Sequence, residues 1–127
     1  MNRSTLQVGI VVFTIVTALV HLFLGISGLG DGAQALDILF ILNGLGYFGL
    51  LAALLGWLPV LGNRPGLTHA LYIGYAALTL VLYFVMNGFA NIGIAAIVAK
   101  VAEVLLIITL FLHMGAARTA QAGVSTS

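Results

Sequence analysis

Cysteine is absent from this chain, which excludes disulfides, iron–sulfur clusters and thiol chemistry. Charge is scarce as well. Only 6% of the 127 residues are Asp, Glu, Lys or Arg, against about 25% in soluble globular domains, so an ordinary water-facing surface is excluded. The formal net charge of +1 is too small for a phosphate-binding face, and no nucleic-acid partner is expected. No Ser/His/Asp constellation, phosphate loop or paired carboxylate is present either. The chain is therefore not read as an enzyme, and no catalytic residue or metal site is assigned.

Apolar sequence takes the place of charge. Hydrophobic residues make up 62% of the chain and fall into four blocks, at 6–26, 36–58, 67–86 and 92–114. Each is about the 20 residues needed to cross a ~30 Å hydrocarbon core. Short connections leave no room for a soluble domain. The expected architecture is all-α, one four-span transmembrane domain folded as an up-down-up-down bundle in contact with membrane lipid. Arg3 before the first block and Ala33-Gln34-Ala35 after it have the form of a secretory signal. The block exceeds the roughly 7–15 residues of a signal core, so it is taken as a retained helix.

Lys and Arg set the orientation. Arg3, Arg64 in the loop 59–66 and Arg118 lie on one side, whereas the loops 27–35 and 87–91 carry no Lys or Arg but include Asp31. The positive-inside rule places both termini and the middle loop in the cytoplasm, with the protein in the cell membrane.

Small and polar residues mark a face on each span, as helix packing in lipid requires. Gln7, Thr14, Thr17, Ala18, His21, Gly25 and Gly28 share a stripe on the first. Gly46, Gly49, Ala53 and Gly56 mark the second, with Asn43 at its outer end. Thr68, Tyr72, Tyr75, Thr79 and Tyr83 mark the third, and Gly93, Ala96, Lys100 and Glu103 the fourth. Gly44-Leu45-Gly46-Tyr47-Phe48-Gly49 matches the dinucleotide fingerprint G-x-G-x-x-G. That motif needs a strand before it and a turn into a helix, so inside a span it signals close packing. Trp57 fits an interface anchor, Tyr47 and Tyr72 fit anchors or packing residues, and Asp37 suits the start of the second helix.

Lys100 and Glu103 are the charges that fall inside the hydrocarbon. An ionisable residue there costs about 2.5–3.5 kcal/mol on insertion scales and marks a functional site by default. At ~1.5 Å per residue, Tyr83, His21, Asn43 and Lys100 lie roughly 5–12 Å below the outer ends of their spans, and Glu103 about 4 Å deeper. Four helices thus bring polar groups to one layer. The spacing of Lys100 and Glu103 lets them meet directly. They form either an ion pair that fixes packing or a proton-coupled pocket in which Glu103 titrates, Lys100 is its counter-charge and His21 the relay.

His69 opens the third span and His113 closes the fourth. Two imidazoles at similar depth suit axial ligation of a b-type haem, or else they are polar tips in the headgroup layer. His113 is turned roughly 80° from Glu103 on a helical wheel. His21 lies near the opposite face and cannot join them.

His21-Leu22-Phe23-Leu24-Gly25, the stretch from Gly44 to Gly49, and Lys100-Val101-Ala102-Glu103-Val104-Leu105-Leu106 resemble a group of small four-helix integral membrane proteins of unknown function, common in archaeal halophiles. The resemblance covers most of the chain and implies the same architecture, with His21 and Lys100 as the positions to note. In that group an acidic residue often precedes the lysine, and Gln often stands at the position of Glu103. Here Ala99 precedes Lys100, so no charge relay is implied.

Three functions remain open: a bundle enclosing a polar pocket for transport or small-ligand binding, an accessory subunit of a larger membrane complex, and a b-haem or quinone-binding electron-transfer subunit. The glycine-rich faces also suit a homo-oligomer.

Overall fold

The computed structural model describes residues 2–30, 35–57, 65–87 and 93–126, apart from the side chains at 36, 65, 86, 87 and 117–126. These residues form four helices: α1 (Arg3–Gly30), α2 (Ala35–Leu54), α3 (Pro65–Asn87) and α4 (Ile94–Thr126). All four are long and apolar enough to cross a membrane, and the chain has the build of a small integral membrane protein. Asp31 and Arg64 lie outside the described residues, as does the side chain of Arg118.

Local chemistry sets the helix ends, and it moves them from where hydropathy alone puts them. Asn2 caps α1, its side-chain oxygen accepting the Thr5 N–H at 2.8 Å, which satisfies a donor that no helical turn reaches. α3 begins on Pro65, a residue that lacks the N–H the first turn cannot use. α2 stops at Leu54 rather than 58. There Gly56 takes a φ of 82°, the Trp57 N–H bonds Ala52 O at 2.8 Å and the Gly56 N–H bonds Ala53 O at 3.2 Å. This 6→1 and 5→2 pairing closes the helix on a left-handed glycine. Gly56→Ala is expected to destabilise the protein by about 1–2 kcal/mol, the cost of holding an L-residue in that conformation. Thermal unfolding in detergent checks it, and an unchanged midpoint would refute it. α4 runs past 114 to Thr126 because its Ala-rich continuation favours helix without being apolar enough to read as a span.

Successive helices are antiparallel. Gly25 of α1 lies against Ile41 of α2, Thr17 of α1 bonds Glu103 of α4, and His69 of α3 meets His113 of α4. α1 packs closely along both α2 and α4, α3 packs on α4, and the seam between α2 and α3 is the slightest. The core comprises Ile10, Ala18, Tyr47, Leu51, Tyr72, Ala76, Leu106 and Leu110. Across it the Tyr72 hydroxyl hydrogen-bonds Thr14.

The faces expected on α1 and α3 are largely the buried ones: Thr14, Thr17, Ala18, His21 and Gly25 on α1, and Thr68, Tyr72 and Thr79 on α3. The α2 face needs correction. Ala53 is buried and Gly46 lies against Tyr75, as expected, but Gly49 and Gly56 are exposed, while Gly44, Tyr47 and Leu51 turn inward. α2 is apolar almost all round, so its glycines alone do not distinguish a lipid-facing side from a protein-facing one. Gly93 is likewise exposed, with open space around it.

Candidate functional site

The polar layer is assembled from all four helices. Glu103, on the α4 face turned to α1, is fully buried at 0% exposure. One helical turn earlier, Lys100 places its Nζ 3.1 Å from both carboxylate oxygens. The Thr17 hydroxyl of α1 donates to Glu103 Oε1 at 3.0 Å. Lys100 Nζ also stands 4.6 Å from the centre of the Tyr83 ring, where the ring's negative face attracts a cation. The charges expected to meet do meet. They are held by an aromatic ring from α3 and a hydroxyl from α1.

His21 completes the cluster. Its Nδ1 lies 2.7 Å from the Thr17 carbonyl oxygen, which can only accept, so Nδ1 carries a hydrogen. In a neutral ring Nε2 is then a lone pair, and it faces Glu103 Oε1 at 3.7 Å. Two acceptors face one another across that gap unless a proton resides on one of them. At that distance no hydrogen bond joins the two side chains, and the bonded partner of the Glu103 carboxylate on α4 is Lys100.

Beside the cluster lies a cavity of about 290 Å³. Its polar wall is Lys100, His21, Asn43 and Thr79, and its aromatic wall is Phe40, Tyr75 and Tyr83. Leu39, Leu42 and Leu82 complete it, and all three are about half exposed on the outer surface. The mouth thus opens sideways through the α2–α3 seam. Counting ~1.5 Å per residue from the helix ends, the polar residues sit roughly 6–14 Å into the bundle. The lining is mostly apolar with a few polar groups, the usual make-up of a ligand pocket.

Asn43 links the two walls. Its Nδ2 donates to Thr79 Oγ1 at 2.9 Å, and its backbone oxygen accepts from the Tyr75 hydroxyl at 2.8 Å. The side-chain Oδ1 is buried without a hydrogen-bond partner. The Tyr47 hydroxyl, close to Thr79, is another buried group with no bond of normal geometry. Tyr47 stacks edge-on to Tyr75 at 4.9 Å between ring centres and lies 6.0 Å from the His21 ring.

Of the five residues assigned to this layer from sequence, His21, Asn43, Tyr83 and Lys100 line one cavity, and Glu103 sits directly behind Lys100 and His21. Thr17, Tyr75, Thr79 and Phe40 belong to the site without having been singled out for it. Thr17 and Thr79 each lie one turn before a recognised residue, His21 and Tyr83, and on the same face. That spacing was the available signal.

The two remaining histidines form a separate pair near the other end of the bundle. His69 Nε2 and His113 Nδ1 are 2.8 Å apart, and both residues are buried, which corrects their placement as headgroup-facing tips. α4 buries positions 103, 106, 110 and 113, a spacing that follows a seven-residue repeat, so His113 stays inside despite its offset on a straight wheel. A metal held axially between two imidazoles needs its nitrogens about 4 Å apart at ordinary ligand distances. Directly bonded rings leave no space for a porphyrin between them, so this arrangement does not fit a haem ligated by His69 and His113. Among the described residues, no three His, Asp or Glu side chains gather as a metal site.

No protein-family model, curated protein or solved structure matches the chain.

Proposed function

We propose that this protein binds a small ligand within the membrane, in the cavity between α2 and α3, beside the buried Lys100–Glu103 pair. The observation that carries this reading is the position of the buried ion pair. Lys100 lies at the junction of Glu103 and the cavity, so the buried ion pair borders open space instead of being packed over. A pair serving only to hold helices together would be better enclosed. In the corresponding membrane arrangement the termini face the cytoplasm, as Arg3 favours, and the cavity lies in the outer half of the bilayer.

Native mass spectrometry of the purified full chain tests this. Wild type is expected to retain an adduct of defined small-molecule mass. Asn43→Phe and Leu82→Trp, which fill the cavity from its inner wall and its mouth, should lower that occupancy about tenfold or more, equivalent to roughly 1.4 kcal/mol of binding. Helicity by circular dichroism and a single gel-filtration peak establish that each variant is folded. Folded variants that retain the adduct as wild type does would refute the reading.

A further inference from the structure

The walls of the cavity restrict the chemistry of what enters, given that it is a ligand site. Lys100 carries a positive charge, but Glu103 neutralises it at 3.1 Å. A carboxylate or phosphate head would gain Lys100 and face Glu103 behind it; an ammonium would meet the reverse. A neutral head suffers neither repulsion.

That neutral head still meets polar groups with unused capacity. The protein acceptors of the Lys100 ammonium are the two oxygens of Glu103, and the ammonium also borders the cavity. It is a donor for an incoming oxygen. Asn43 Oδ1 is the complementary group, a buried acceptor with no partner. Its amide is adaptable. Turned over, it takes the Thr79 hydroxyl on its oxygen and leaves its NH₂ pointing the other way. The position can therefore accept from a hydroxyl or donate to a carbonyl.

Shape narrows the class further. The cavity, about 290 Å³, lies at the small end of the range for ligand pockets and suits a single ring system. Phe40, Tyr75 and Tyr83 supply flat faces around it. The mouth between Leu42 and Leu82 opens to lipid, where an apolar tail would lie.

We propose that the cavity receives the head of a lipid-soluble quinone. One ring oxygen accepts from Lys100, the other meets the Asn43 amide, and the tail passes out between α2 and α3. Because the amide serves either as acceptor or as donor, the same pocket holds the quinol as well as the quinone.

The test uses the full chain in nanodiscs of synthetic, quinone-free phosphatidylcholine, incubated with four probes of closely matched alkyl length: a decylbenzoquinone, its quinol, decylbenzene and decanoic acid. Retained probe is read by native mass spectrometry. Quinone and quinol should both be held, at least tenfold better than decylbenzene. Asn43→Leu, which leaves the ion pair intact, should lower retention of both about tenfold, and Lys100→Met should lower that of the quinone likewise. Equal retention of decylbenzene, preference for decanoic acid, or quinone binding indifferent to Asn43→Leu would each overturn the quinone assignment and leave a ligand pocket standing. Retention of none of the four by wild type would overturn both.

Discussion

Glu103→Ala is expected to lose on the order of 3–5 kcal/mol of stability, the cost of leaving a buried charge without its partner. The magnitude separates charge from ordinary hydrogen bonding. A polar contact between membrane helices averages about 0.6 kcal/mol, so Thr17→Ala, which removes the 3.0 Å bond to Glu103 Oε1, should fall in that smaller range. Glu103→Gln keeps an acceptor for Thr17 but still strands Lys100, and should lie between the two. The decisive variant combines Glu103→Gln with Lys100→Met. Removing both charges should recover most of what Glu103→Ala loses, because a buried pair contributes little net stability while half of one is strongly destabilising. Denaturant titration in mixed micelles gives all four values on one scale. If the double variant is as unstable as Glu103→Ala, the two charges are not coupled and the account of the site fails.

Gly25→Ala should destabilise the bundle by about 1–3 kcal/mol, whereas Gly49→Ala should be neutral or slightly stabilising. A methyl group at Gly25 would stand 2.7 Å from Asp37 O and 3.0 Å from Ile41 N. Both are backbone atoms, so relief requires α1 and α2 to separate, the overpacking cost of a full interface. Gly44 makes the reciprocal approach, where an added methyl would stand 2.8 Å from Ala18 O. At Gly49 nothing lies within 4 Å, and alanine's better helix propensity, up to about 1 kcal/mol, is unopposed. The same chemical change is thus expected to have opposite signs at two glycines. Parallel unfolding curves decide it, and similar losses at both positions would show that the α1–α2 contact is not as close as described.

The contrast between those glycines shows where the sequence was legible and where it was not. Spans were visible because four long apolar runs have few other physical solutions. On α1, α3 and α4 the inner face was legible because polar atoms mark it: Thr14, Thr17 and His21, then Thr68, Tyr72 and Thr79, then Lys100 and Glu103. A hydroxyl or charge has a strong preference between lipid and protein. Glycine has almost none, and on α2 the signal holds only in part: Ala53 is buried as expected, but Gly49 is exposed, while Tyr47 is fully buried. Convergence of His21, Asn43, Tyr83 and Lys100 followed from depth, which the rise per residue fixes. The cavity was not legible, because it depends on how far α2 and α3 stand apart, and no residue pattern encodes a gap. The burial of His113 is not legible on a straight-helix wheel, because the buried positions of α4 repeat every seven residues.

The hydrogen bond from Thr17 to Glu103 joins residues separated by 86 positions, and this has a consequence for biosynthesis. At about 5–20 residues per second, roughly 4–17 s pass between synthesis of the two. Through that interval α1 holds the Thr17 hydroxyl and His21 Nε2 without the α4 carboxylate they face in the folded bundle, and α4 must later enter the bilayer carrying Lys100 and Glu103. The first helix made waits for the last. A nascent chain of this design therefore carries polar groups on α1 that gain their α4 partner only when synthesis is nearly complete.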